Sequence, residues 1–159
     1  TLVRKLVRFL TIMMKDKLGG SLVKIFSLKY ILFRNFDTTG LAHGLNQTEE
    51  RVLMFAWDHG GTSMQFLSRK VGLEKGSLTT VIDSLEEAGL VSRTRDPTDR
   101  RSFIVNPTPE GSRLAENIDA LFDRHLEIIL GKLTPEDRTE FERAAATFAR
   151  LIPVLATQE

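Results

Sequence analysis

Apolar residues recur at helical spacing from the start of the chain. Leu2, Val3, Leu6, Val7, Leu10 and Met14 lie three or four apart while Arg4, Lys5, Arg8 and Lys15 fall mostly between them. This predicts a basic amphipathic helix over residues 2–18, ended by Gly19-Gly20. From Ser21 a second helix carries Leu22, Ile25, Phe26, Leu28, Leu32, Phe33 and Phe36, an apolar arc too wide for a helix with one solvent face. Such a helix needs partners on two sides, and dimerisation would supply the second. Asn46 and Glu49 form a capping pair ahead of Val52, Leu53, Ala56 and Trp57, the buried stripe of a third helix that stops at Gly60-Gly61. A short helix from Thr62 or Ser63 to Lys70 is broken by Gly72. Another, from about Glu74 to Ala88, places Leu78, Val81, Ile82 and Leu85 at i, i+3, i+4 and i+7 before a left-handed cap at Gly89. Two short helices so close in sequence make a helix-turn-helix pattern.

The period then changes from 3.6 toward 2. Leu90 to Arg95 and Arg101 to Val105 predict two short strands, and Asp96-Pro97-Thr98-Asp99 supplies the turn between them. A β-hairpin directly behind the second of two such helices is the arrangement of a winged helix-turn-helix. Thr108-Pro109-Glu110 and Thr134-Pro135-Glu136-Asp137 each combine a hydroxyl cap, Pro at the first helical position and acids in the first turn, so both open helices. Leu114, Ala115, Ile118, Leu121 and Phe122 stripe the first, and Phe141, Ala145, Phe148 and Ile152 the second, with Pro153 near its end. The expected fold class is mainly α with a small β-hairpin wing. Residues 1–44 are expected to be N-terminal dimerisation helices, 45–106 a winged helix-turn-helix DNA-binding domain, and 107–159 C-terminal dimerisation helices.

Composition narrows the chemistry. The chain has 159 residues, 42% of them apolar, enough to build a core without staples, and no cysteine. Thiolate catalysis, thiol redox sensing, Cys-type zinc sites and disulfides are excluded, and an unstapled chain suits the reducing cytoplasm. No run approaches the roughly 18 apolar residues of a membrane span. The net charge of +1 conceals a polarity: residues 1–34 hold eight Lys/Arg against Asp16 alone, whereas 107–159 hold six against ten acids. A basic start permits a polyanionic partner. There is no phosphate-binding Gly-rich loop, no nucleophile elbow and no His-Glu-x-x-His pair, so the chain reads as neither an enzyme nor a cofactor or metal binder. His43, His59 and His125 lie far apart and are expected at surfaces or interfaces.

With Leu78, Val81, Ile82 and Leu85 turned inward, Lys75, Ser77, Thr79, Thr80 and Ser84 are the outward candidates for contacts with base edges and phosphates. In the hairpin, Arg93, Arg95, Arg100 and Arg101 outnumber Asp96 and Asp99, and an arginine on a protruding hairpin suits a narrow, electronegative minor groove.

The run Leu78-Thr79-Thr80-Val81-Ile82-Asp83-Ser84-Leu85-Glu86-Glu87-Ala88-Gly89-Leu90-Val91-Ser92-Arg93 is followed by Asp96-Pro97-Thr98-Asp99-Arg100-Arg101 and by the stretch from Val105 to Gly111. Together these resemble the MarR/SlyA family of bacterial transcription regulators, over about residues 20–156. The resemblance implies a triangular homodimer on double-stranded DNA, with the helix at 74–88 in the major groove and the wing in the flanking minor groove. It makes Arg100 the minor-groove probe and pairs Arg101 with Asp83, locking wing to helix. It also implies repression of a pseudo-palindromic operator, relieved by a small aromatic or phenolic effector near Phe33, Phe36, His43 and Trp57. Two departures stand out. Thr80 occupies a position where the family often has Arg, and Asn106-Pro107 is expected to shorten the second wing strand. Two other readings remain open at this point: a sequence-independent architectural DNA binder, and a winged-helix module for protein contact.

Overall fold

In the computed structural model, which describes residues 17–41, 43–97 and 102–156, the chain divides at 36/37 and at 121/122 into two units. The winged unit, 37–121, begins its helical scaffold at Asn46. The Asn46 side chain accepts the backbone N–H groups of Thr48 (2.9 Å) and Glu49 (3.1 Å), while Glu49 accepts the Asn46 N–H at 2.8 Å. This reciprocal cap starts α2 (Gln47–Asp58), numbered after α1 (Lys17–Phe33) of the helical unit. Asn46→Ala should cost about 1 kcal/mol of stability, measurable as a lowered urea midpoint.

Chain order continues with β1 (Thr62–Ser63), α3 (Met64–Val71), α4 (Lys75–Glu87), β2 (Val91–Arg95) and β3 (Phe103–Pro107), then α5 (Pro109–Leu130) and α6 (Pro135–Ala156). Ser63 caps α3 by accepting the Phe66 N–H, and Gly72, with φ of 74°, ends it in the left-handed conformation that glycine adopts without penalty. Val52, Leu53 and Ala56 of α2, Leu67 and Val71 of α3, and Leu78, Ile82 and Leu85 of α4 close over Leu90, Val91 and Val105 in one core. Ala115 of α5 joins that core, so the unit is wider than the 45–106 span expected from the sequence.

The sheet has three antiparallel strands in the order β1-β3-β2, not the hairpin pair alone. Thr62 pairs with Val105 and Ser63 with Ile104, whereas Val91 to Arg95 run opposite Pro107 to Phe103. The strand β3 also runs through Asn106 and Pro107 rather than stopping before them. Pro107 stands at its last position, beyond the residues that β1 pairs, where a missing N–H is tolerated. Asn106 adds a side-chain bond, Nδ2 donating to Thr94 Oγ1 at 3.0 Å.

Thr108 joins β3 to α5. Its N–H donates to Leu90 O (3.0 Å), its hydroxyl donates to Gly89 O (2.7 Å), and the same Oγ1 accepts the Gly111 N–H (3.0 Å). The start of α5 is thereby fixed to the exit of α4.

In the helical unit α1 runs straight through Gly19 and Gly20, contrary to the expected break there. Glycine lowers helix stability by about 1 kcal/mol relative to alanine, yet keeps its N–H, so its neighbours can carry the helix across. The remainder of the expected helix at 2–18 lies outside the described residues. The helix ends short of Phe36 because Asn35 turns left-handed, at φ of 61°. Phe33 stacks on Phe122 at 4.8 Å between ring centroids and Phe36 meets the same ring edge-on at 5.0 Å. Arg138 of α6 grips Glu127 of α5 with two nitrogens (2.9 and 2.7 Å), which holds the Glu127 carboxyl below its usual range.

Candidate nucleic-acid interface

The helix α4 is held from beneath by Leu78, Ile82 and Leu85, all fully buried, with Val81 partly buried beside them. Its outer surface exposes Gly76, Ser77, Thr80, Asp83, Ser84, Glu86 and Glu87, with Thr79 half-buried. Lys75 is the first helical residue, and the residue before it, Glu74, offers no side-chain cap. The Thr80 hydroxyl leans back toward Gly76 O at 3.5 Å, a weak bond that leaves it near the helix surface.

Farther along, the polar side chains are held inside the unit. Ser84 donates to Glu49 Oε1 at 2.7 Å, so the carboxylate that caps α2 also ties down α4. Arg93, at the third position of β2, reaches back to the same helix. Its backbone N–H donates to Glu86 Oε1 (3.2 Å), its Nε to Glu86 Oε2 (3.0 Å), and a terminal nitrogen to Asp83. Hydrogen bonding to Asp83, opposed by partial burial and supported by Glu86, raises the Arg93 pKa above its ordinary value, so it stays charged at any working pH. Asp83, Glu86, Glu87 and Arg93 line a shallow, acidic depression beside the helix.

Of the wing arginines, Arg95 is exposed at the end of β2, its guanidinium 5.4 Å from the centre of the Phe103 ring. Arg100 and Arg101 lie outside the described residues, and with them the expected Asp83–Arg101 pair. Glu49 and Glu86 were not singled out from the sequence as part of this surface. A signal for Glu86 existed, since it follows Asp83 by three and so shares its helix face.

The four aromatic and imidazole candidates for effector contact fall in different units, Phe33 and Phe36 in the helical one and His43 and Trp57 in the winged one. Two histidines make polar contacts within their own units. His43, with 6% of its side chain exposed, accepts the Leu45 N–H at Nδ1 (3.0 Å) and turns Nε2 toward Glu50 Oε1 at 3.3 Å, an oxygen that also accepts the Thr38 hydroxyl. His125 brings Nε2 within 2.9 Å of Leu32 O and packs beside Phe36. Trp57 is half-buried against the core. Among the described residues no three His, Asp or Glu side chains converge as a metal site, and no helix is long and apolar enough to cross a membrane.

Comparison with known proteins matches this surface closely in position. The model of the MarR family covers residues 45–103, which run from just before the α2 cap into β3. The HTH-type transcriptional regulator MhqR of Bacillus subtilis (strain 168) is 34% identical over 95 residues, 60% of this chain and 66% of that protein. The HTH-type transcriptional regulator YkoM of the same organism is 30% identical over 98 residues, 62% of this chain and 64% of that protein. The chain thus spans just under two thirds of the length of these curated relatives. The crystal structure of NadR in complex with 4-hydroxyphenylacetate shares the fold over 87% of this chain and 98% of that one, with a TM-score of 0.65 at 22% identity. Residues 45–103 of this chain thus match the model of the MarR family, and they fold as a helix-turn-helix with a three-stranded sheet.

Proposed function

We propose that the protein is a homodimeric, sequence-specific DNA-binding transcription regulator that represses a pseudo-palindromic operator and is released by a small aromatic or phenolic effector. The observation that carries this reading is α4 itself: an amphipathic helix anchored by three fully buried residues, exposing Ser77 and Thr80 in its first turns and flanked by a basic hairpin. Hydroxyls at the leading end of such a helix can meet base edges, and Arg95 with Arg100 and Arg101 would serve phosphates or the minor groove. Lys75, Thr79, Ser84 and Arg93 complete the expected set.

Dimerisation is supported by the apolar surface that the helical unit leaves uncovered in a single chain. Tyr30, Ile31 and Phe33 of α1, Ile128 of α5 and Ile152, Val154 and Leu155 of α6 are all more than half exposed. Effector binding draws support from the rings grouped at Phe33, Phe36, Phe122 and His125, whose faces suit a flat aromatic ligand, and from the 4-hydroxyphenylacetate that NadR holds. A cytoplasmic location is part of this reading. An effector relieves repression only through unequal affinity for the DNA-competent and the released states.

Selection of duplexes from a random pool by the purified chain, at about 0.15 M salt where phosphate contacts alone are weakened, tests the reading. The expected product is a palindrome with half-sites about 10–10.5 base pairs apart. Binding without enrichment favours an architectural role instead, and no binding at all favours a protein-contact module.

A further inference from the structure

Strand alternation puts Val105 and Phe103 of β3 on one face of the hairpin. Val105 is fully buried in the core, whereas Phe103, two residues toward the wing tip, is 37% exposed. The register sets Arg93 opposite Val105 and Arg95 opposite Phe103, so both arginines share that face. Arg93 ends on α4, while Arg95 stands one pair farther out, about 7 Å along the strand. The Arg95 guanidinium lies over the Phe103 ring, 5.4 Å from its centre. So placed, the ring adds little to the core; what it offers is its electronegative face, which attracts a cation.

Stacking engages the plane of a guanidinium and keeps its N–H groups at the edge, the geometry that meets phosphate oxygens. Arginine has much rotamer freedom to lose on gripping a phosphate, and a ring that already holds it reduces the loss. The hairpin flanks α4, the helix read here as facing DNA, and a cation at its rim complements the sugar–phosphate backbone beside the groove. We infer that Phe103 is the positioning residue for a phosphate contact made by Arg95: ring and guanidinium form a pre-set anchor at the rim of the wing, which seats the winged unit on the duplex without reading its sequence. The inference rests on the DNA-binding reading above and deepens it, because it adds to the interface a side chain with neither charge nor hydrogen-bonding group.

The test is the duplex affinity of the full-length chain as a function of salt, on a mixed-sequence duplex and on any duplex the wild type selects. Arg95→Ala should bind more weakly and lower the salt slope by about one unit for each wing. Phe103→Leu keeps apolar bulk but has no π-face. Its expected loss is about threefold for each wing, roughly tenfold for a dimer, the scale of an exposed cation–π contact. Phe103→Trp, with a stronger face, should bind at least as tightly as the wild type. The decisive comparison is Phe103→Leu in the Arg95→Ala background, where it should cost nothing further. A loss that persists there is a fault of the hairpin and overturns the inference. So does wild-type affinity in either single variant, and so does a changed selected sequence, since phosphate contacts carry none. If the wild type binds no duplex even at low salt, the DNA-binding reading fails and the inference with it. Wild-type binding that Phe103→Leu leaves untouched sinks the inference alone and leaves that reading standing.

Discussion

Gly111→Ala is expected to destabilise the winged unit by about 3 kcal/mol, the upper end of what one added methyl costs in a closely packed place. Gly111 is buried in the first turn of α5, and a Cβ there would overlap the Leu90 carbonyl oxygen, with the Leu90 carbonyl carbon at 2.9 Å and Leu53 Cδ1 at 3.3 Å. The oxygen cannot retreat cheaply, because it accepts the Thr108 N–H that seats α5. Relief would require the helix start to lift from the end of α4, and the core would open beneath it. Urea unfolding of the full-length chain, followed by the fluorescence of Trp57, measures this, since the only tryptophan lies on α2 against the core. A midpoint within error of the wild type would show that α5 can shift at little cost.

Leu53→Ala should cost a similar amount, about 3 kcal/mol, for a different reason. Leu53 is fully buried at the centre of the core, and its truncation removes transfer energy and leaves a cavity that three helices and a sheet can close only in part. The two substitutions together discriminate further. If the Leu53 methyl were what a residue at 111 strikes, trimming it would offset the damage, but the nearer obstacle is backbone. The double variant is therefore expected to be less stable than Gly111→Ala alone, and a recovery of stability would identify Leu53 as the true obstruction.

Much of this fold is legible in the order of residue types. The stripe Leu78, Val81, Ile82 and Leu85 has one solution at helical period, and the Asn46-Glu49 cap and the two Thr-Pro starts use local chemistry that needs no tertiary partner. The third strand was not legible. Two residues, Thr62 and Ser63, show no alternation, and what makes them a strand is the presence of Val105 and Ile104 alongside. The path of α1 through Gly19-Gly20 was hidden for the opposite reason, since a local breaking signal was overridden by the helix around it. At the interface the outward polar face of α4 could be read from its period, but not the destination of Arg93. That depends on how closely β2 returns to the helix it follows, a distance that no spacing in the sequence encodes. Glu49 was visible only as a cap, because its second role requires a residue 35 positions away.

The hydroxyl of Thr108 does two opposite things with one atom: it hands its hydrogen to Gly89 O and receives another from the Gly111 N–H. Not every side chain that starts a helix well can do both. Aspartate is as good a cap in isolation, yet its ionised carboxylate has no hydrogen to hand on, and it would turn a lone pair toward the Gly89 oxygen. The position is thus closed to aspartate by valence and not by size, and the junction between the end of one helix and the beginning of another is written in an alcohol, whose single oxygen is donor and acceptor at once.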